Sequence, residues 1–342
     1  MKPMTCSART ALGPKLVALT GGVGGAKLIV GFSEVMAAGD LTVIANTGDD
    51  FEHLGFSISP DIDTLMYTLA GLANPETGWG RAGETWSFMD ATAEIGGETW
   101  FRLGDKDIAV LAERTRRLKS GQSLSQITRH LCRQLGVDIE IVPMSDEPVR
   151  TIVETPGGPL AFQHYFVRER CRPAVTGFTF AGAAAASPQA AFVRALEAPD
   201  LSAVIICPSN PFISIDPILS VPGVRGMLAE VGVPVIAVSP IVAGRAIKGP
   251  TAKMMAELGL EPSAVGIARH YAGLLDGLII DHADGPLADE IRGLGVAVEI
   301  ADTVMTGLEG KIRLAATAME FAQSLGAELR HRRESGHERQ SA

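Results

Sequence analysis

Six apolar runs of strand length recur along the chain with helix-length stretches between them. They are Lys15–Thr20 (KLVALT), Leu41–Ala45 (LTVIA), Ala203–Cys207 (AVIIC), Val233–Val238 (VPVIAV), Leu278–Asp281 (LIID) and Val296–Ile300 (VAVEI). Such runs are nearly continuous in apolar residues rather than alternating, so both faces of each strand must be buried, as in a parallel sheet covered by helices on both sides. The expected fold is α/β, a doubly wound, mainly parallel Rossmann-like sheet spanning residues 15–327 as a single domain. Between the second and third runs, residues 73–175 read as a mostly helical insertion that ends in a β-hairpin. In that hairpin, VRTIVETPGGPLAFQHYFV, Pro156-Gly157-Gly158-Pro159 supply the turn. The insertion is expected to cover the ligand side of the sheet. Residues 1–14 and the charged stretch 328–342 (ELRHRRESGHERQSA) read as flexible, solvated tails.

Composition removes several classes of function. A net charge of −9 with no basic block in the folded region excludes a long phosphate-tracking surface, so nucleic acid is not an expected partner. The 4 cysteines include no Cys-x-x-Cys pair, which argues against zinc, iron–sulfur or a disulfide framework. The opening MKPMTCSARTALGP lacks the apolar core of a signal peptide, and no later run reaches the roughly 18 apolar residues of a membrane span. A cytoplasmic protein without a membrane partner is expected.

The first strand runs into LTGGVGGAKL (Leu19–Leu28), and the apolar periodicity of Lys27–Ala38 makes the next element a helix. Backbone amides at such a turn converge on a helix N-terminus, which favours an anion. Gly21, Gly22, Gly24 and Gly25 are the candidate phosphate-binding positions. Neither common fingerprint fits. Gly25 is followed by Ala26-Lys27-Leu28 rather than Gly-Lys-Ser/Thr, and a dinucleotide reading puts Lys27 where the last glycine belongs. The second strand ends in Asn46 rather than an acidic ribose ligand, which further disfavours a nicotinamide cofactor. Lys27 opposes the helix dipole unless an anion sits there, so it joins the candidate site. A tight strand-to-helix turn with no ligand is the bland alternative.

The loop after the second strand, NTGDDFEHLGFSISPDIDT (Asn46–Thr64), carries Asp49, Asp50, Asp61 and Asp63. Loops at the carboxyl ends of strands build the ligand site of an open α/β sheet, so this loop should face the glycines. Carboxylates beside a phosphate cradle suit Mg2+, with Asp49, Asp50 and Asp61 as candidate ligands. Asp61, after Pro60, is equally suited to cap its own helix, and Asp63 to favour that helix's first turn. Two later loops, PSNPFISIDPIL (Pro208–Leu219) and SPIVAGRAIKGPTAKM (Ser239–Met254), place Ser209, Asn210, Ser239 and Lys248-Gly249 within reach of a nucleotide. There is no zinc-protease helix, nucleophile elbow or Cys–His signature. His270 and His282 read as structural, and Trp79, Trp86 and Trp100 as core side chains.

In order and spacing, GGVGGAKL, NTGDD, SPDIDTLMYTL, Trp79-Gly80, RLGDKDIA (Arg102–Ala109), VPMSDEPV, PSNPFISIDPIL, VSPIVAG and KGPTAKMM resemble the 2-phospho-L-lactate transferase (CofD-like) family of coenzyme F(420) biosynthesis. The resemblance covers about residues 15–320. It implies an enzyme that moves a phospho-(three-carbon acid) group from a guanosine diphospho-conjugate to the ribityl hydroxyl of the deazaflavin Fo, releasing GMP with Mg2+. The acid would be phospholactate, phosphoenolpyruvate or phosphoglycerate. By motif, Asp63 and Arg102 match the family's Fo-contacting positions, while the glycine, PSNP and SPI loops match its guanosine diphosphate site. A homodimer is also implied. The family commonly has Ser-Ile-Gly-Pro where this chain has Ser214-Ile215-Asp216-Pro217, a carboxylate near the nucleotide loop.

The roles that follow are specific. Gly21–Gly25 and Lys27 hold the diphosphate; Mg2+ on Asp49 or Asp50, helped by Asp61, offsets charge on the leaving GMP. Asp63 orients the Fo hydroxyl and is placed to deprotonate it, and Arg102 anchors the deazaflavin or the donor carboxylate. Asp63 and Asp50 are thus the catalytic candidates. The rival reading is a nucleotide-sugar-binding regulator of the same superfamily, without transferase activity.

Overall fold

The glycine loop leaves the end of β1 (Lys15–Thr20), an interior strand of a seven-stranded sheet, in the computed structural model, which describes residues 14–340 and side chains to 331. From there the chain runs through α1 (Gly22–Val35), β2 (Leu41–Ala45), a short hairpin of β3 (Phe51–His53) and β4 (Phe56–Ile58), and α2 (Pro60–Leu69). Three helices follow, α3 (Ser87–Glu94), α4 (Asp105–Lys119) and α5 (Leu124–Gln134), then β5 (Glu140–Pro143), β6 (Arg150–Glu154), β7 (Leu160–Ala161) and β8 (Gly177–Ala181). The remaining strands are β9 (Leu201–Ile206), β10 (Val235–Val238), a small pair of β11 (Ile241–Val242) and β12 (Arg245–Ala246), β13 (Gly277–Asp281) and β14 (Ala297–Ala301). Among the helices between and after them are α6 (Ala190–Leu196), α7 (Asp216–Ser220), α8 (Val224–Glu230), α9 (Thr251–Glu257), α10 (Ala264–His270), α11 (Ala288–Gly293) and α12 (Gly307–Gln340).

All six expected strands belong to the main sheet, in the order β14-β13-β10-β9-β1-β2-β5, and each neighbouring pair is parallel. The doubly wound expectation therefore holds. Within β1, Val17 and Leu19 enter one hydrophobic cluster while Leu16 and Ala18 enter another, so successive residues serve opposite faces and both faces are covered. That double burial is why the run KLVALT shows no polar alternation.

The segment 73–175 divides differently from the expectation. Its helices return to the main sheet as β5, which pairs with β2 at the edge, and only then does the chain build a separate antiparallel sheet, β7-β6-β8. Four residues carrying the apolar pair Ile141-Val142 give too short a signal to separate an edge strand from a helix end. The hairpin β6–β7 lies where Pro156–Pro159 placed it, and β8 adds a third strand beyond residue 175. α5 begins at a capping box formed by Ser123 and Gln126.

At the C-terminus, α12 continues through Glu328 to Gln340, where charge density had predicted a tail. Glu, Arg, Leu and Gln are good helix formers, and solvated charges do not by themselves end a helix. The expected N-terminal tail lies outside the described residues apart from Pro14, as do residues 341 and 342. α12 packs along α1, where Gly31 allows contact with the carbonyl of Lys311 that a Cβ would block. This packing anchors the helix whose other end faces the site. No single helix among the described residues is long and apolar enough to cross a membrane.

Candidate functional site

The loops after β1, β2, β9, β10 and β14 converge on one cavity of about 760 Å3. Of the residues singled out from sequence, Gly21, Gly22, Gly24, Lys27, Asp49, Asp61, Asp63, Arg102, Ser209, Asn210 and Ser239 line it. Gly25 and Asp50 do not. A Cβ on Gly25 would collide with Thr20 Oγ1, so this glycine seats α1 against β1 rather than facing a ligand. Gly24 lets the first turn of α1 approach the carbonyl of Pro208, and Gly22 takes a left-handed φ of 68°.

Asp61 does not cap its own helix. Ser59 is the N-cap of α2, and Asp61 instead reaches across to α1, where Oδ1 accepts the Gly22 N–H at 2.6 Å. Its Oδ2 accepts from Asn46 Nδ2 at 3.0 Å, and the same nitrogen reaches Asp49 Oδ1 at 3.2 Å and the Ile213 carbonyl at 3.1 Å. Asn46 thus ties the loop after β2 to the loop after β9. From the sequence it was notable only for not being acidic.

Asp49, Asp50 and Asp61 are all buried. Burial, then the negative charges of Asp61 and Asp50, holds Asp49 well above the ordinary carboxylate range, and burial pushes Asp61 up to about 6. Burial also pushes Asp50 up to about 7, against the opposing influence of Arg150 and a 2.8 Å hydrogen bond from Ser59. Asp50 lies behind the wall of the cavity, with Oδ1 buried and unpartnered. No group of three or more His, Cys, Asp or Glu side chains among the described residues is arranged to hold a metal. The cavity instead presents the pair Asp49 and Asp61, neither of which makes an ion pair among the described residues. Two buried carboxylates suit a hard divalent cation that takes its other ligands from water and phosphate.

Asp63, fourth in α2, is clamped by Arg114 of α4. Arg114 Nη1 lies 2.9 Å from Oδ2 while Nη2 contacts Oδ1, a bidentate pair with the guanidinium 1% exposed. The sequence reading missed Arg114. Its signal was helical spacing: Val110, Leu111, Arg114 and Thr115 form the buried face of α4, so an arginine stands in an apolar stripe. One turn along α2, the Tyr67 hydroxyl donates to Asp107 Oδ1 at 2.5 Å, and both residues line the cavity.

Lys27 faces the cavity with its pKa lowered by burial and then by the positive charges of Lys248 and Lys311. Lys248 also lines the cavity and donates to the Thr77 carbonyl at 3.1 Å. Ser209 accepts from Gly21 N at 3.3 Å and donates to Gly21 O at 2.9 Å; Asn210 Oδ1 caps the turn at Phe212, and Ser239 donates to Ile241 O at 2.9 Å. These three side chains hold the loops in shape as they border the cavity. Asp216 points elsewhere: its Oδ1 is 3.0 Å from His270 Nε2, outside the cavity lining. The contact places His270, like Asp216, outside the cavity.

None of the three tryptophans is a core residue. Trp79 is 57% exposed, and it and Trp100 line the cavity, where Trp100 meets Phe51, His53, Phe101 and His164 edge-on or tilted. Arg102 lies over the Trp86 ring, 4.0 Å from its centroid. Phe162 and Phe166, stacked at 5.3 Å, complete an aromatic wall.

Residues 16–296 match the family described as 2-phospho-L-lactate transferase CofD. A phosphoenolpyruvate transferase of Streptomyces griseus is 39% identical over 319 residues, covering 92% of this chain and 100% of that protein. A 2-phospho-L-lactate transferase of Methanosarcina acetivorans is 37% identical, covering 88% and 96% of the two chains. Among solved structures, a Bacillus halodurans protein of the UPF0052 family has a TM-score of 0.57 at 11% identity, covering 90% of this chain and 100% of that one, a likeness of fold.

Proposed function

Since the chain belongs to the 2-phospho-L-lactate transferase CofD family of transferases, we propose that it transfers a phospho-(three-carbon acid) group from a guanosine diphospho-conjugate to the ribityl hydroxyl of Fo, with release of GMP. The observation that carries this reading is the composition of this cavity. It joins the amide-rich start of α1, Lys27 and Lys248 to an aromatic wall bearing Arg102 and Trp100. The first set suits a diphosphate and the second a flat tricyclic ring.

In this reading the first turn of α1 and Lys27 bind the diphosphate, and the loops shaped by Ser209, Asn210 and Ser239 border the guanosine. Arg102 holds the deazaflavin or the donor carboxylate. Asp63, fixed by Arg114, orients the acceptor hydroxyl. Such transfer asks the protein chiefly for positioning and charge neutralisation. Mg2+, held by Asp49 and Asp61, would supply positive charge against the phosphates of the leaving GMP. Asp50 shapes this loop from behind. The enzyme works in the cytoplasm as a homodimer.

Phospholactate, phosphoenolpyruvate and phosphoglycerate differ by few atoms, and the relatives' names divide between the first two. Mass spectrometry of the products formed from Fo and Mg2+ with each guanosine conjugate, supplied separately, tests the reading and identifies the donor. Formation of an Fo phosphodiester with GMP supports it; no product with any of the three overturns it.

A further inference from the structure

Two carboxylates on the cavity wall, Asp63 and Asp107, differ in what they can still accept. Asp63 has both oxygens engaged by Arg114, which fixes its position and neutralises it. Asp107, in the first turn of α4, uses Oδ1 for the Tyr67 hydroxyl, and its backbone N–H is held by Glu84 Oε1 at 3.0 Å. Among the described residues no hydrogen bond reaches its Oδ2, and the side chain is half-buried in the lining. We propose, resting on the transferase reading above, that Asp107 is the general base that takes the proton of the acceptor hydroxyl while the Arg114-bound Asp63 orients that hydroxyl.

The hydroxyl proton passes to Asp107 Oδ2 as its oxygen bonds to the phosphorus bearing the three-carbon acid. The bond from that phosphorus to the bridging oxygen breaks, and its electron pair leaves with GMP. A base works best with a pKa near the operating pH. Burial pushes Asp107 up to about 6, and the negative charge of Asp63 adds to this, while the Tyr67 hydrogen bond and Arg114 oppose it. The charged and titratable groups around Asp107 are Asp63 and Tyr67 of α2, Arg114 of α4, Glu84 before α3, and Arg81 over the Tyr67 ring at 5.5 Å.

The test measures kcat and KM for Fo against pH in wild type, Asp107→Asn and Tyr67→Phe, using whichever guanosine conjugate the wild type consumes. A general base contributes about a hundredfold or more, so Asp107→Asn should lose that in kcat with KM for Fo little changed. Tyr67→Phe removes the hydrogen bond that lowers Asp107, so the acid limb of its kcat profile should move to higher pH. Wild-type kcat in Asp107→Asn, or an unmoved acid limb in active Tyr67→Phe, overturns the assignment while leaving the transferase reading intact. The second variant decides the matter where Asp107→Asn does not fold. A wild type inactive with every conjugate overturns the transferase reading and this inference together.

Discussion

Asp61 Oδ1 lies 2.6 Å from the amide nitrogen of Gly22, so a carboxylate carried by the second helix closes the N-terminus of the first. The glycine loop has no side chain with which to cap itself, and α1 shows no side-chain cap of its own. The anion-seeking end of α1 is already shared with a buried acid, which the positive pole of the helix favours. Substitution Asp61→Ala removes that acceptor and leaves the Gly22 amide unpaired. A loss of about 1–2 kcal/mol, the usual value of an N-cap, is expected in urea denaturation, and Asp61→Asn should retain more of it.

The pair Asp63–Arg114 gives a second expectation. Replacing Arg114 by Met strands a buried carboxylate, which typically costs about 3–5 kcal/mol. Adding Asp63→Asn should recover part of that loss, and a double-mutant cycle on denaturation midpoints measures the coupling. Alone, Asp63→Asn should keep GDP binding and lose most turnover. Unchanged turnover would remove Asp63 from the chemistry.

A third concerns pH. Asp50 is pushed up to about 7 in the folded chain, whereas an unfolded Asp titrates near 3.8. Between those values the folded state holds a proton that the unfolded state has released, so stability falls as pH rises. The slope from this group approaches about 1.4 kcal/mol per pH unit and vanishes above its folded pKa. Denaturation midpoints from pH 4.5 to 8 should decline in the wild type and decline less in Asp50→Asn, which carries no titrating group there.

Fold and site were not equally legible. Strands buried on both faces announce themselves as runs of Val and Ile, and β1, β2, β9, β10, β13 and β14 all did. β5, four residues at a sheet edge, carried too little apolar sequence to register. Loop glycines and acids pointed to the cavity because chain order fixes which loops share the carboxyl edge of the sheet. What sequence does not encode locally is direction: Asp61 faces α1, Asp50 faces inward, and Asp216 turns to His270. Arg114 escaped notice because its partner Asp63 is 51 residues away, and Asn46, read only as a missing acid, reaches a carbonyl 167 residues away at Ile213.

Lys27 gives the last expectation. Its charge is disfavoured by burial and by Lys248 and Lys311, and among the described residues it makes no ion pair. Positive charges gathered at a helix N-terminus are an unfavourable arrangement that a bound anion relieves. A charge-assisted hydrogen bond contributes about 1.5–3 kcal/mol, or roughly tenfold or more in affinity. Calorimetric titration of Lys27→Met should therefore show GDP binding weakened by about that factor, with Fo binding, followed by its fluorescence, unchanged. Raising salt should weaken GDP binding more in the wild type than in the variant, because part of the attraction between exposed charges is screened. Equal GDP affinity in the two proteins would mean that Lys27 packs beside the phosphate site without touching the ligand.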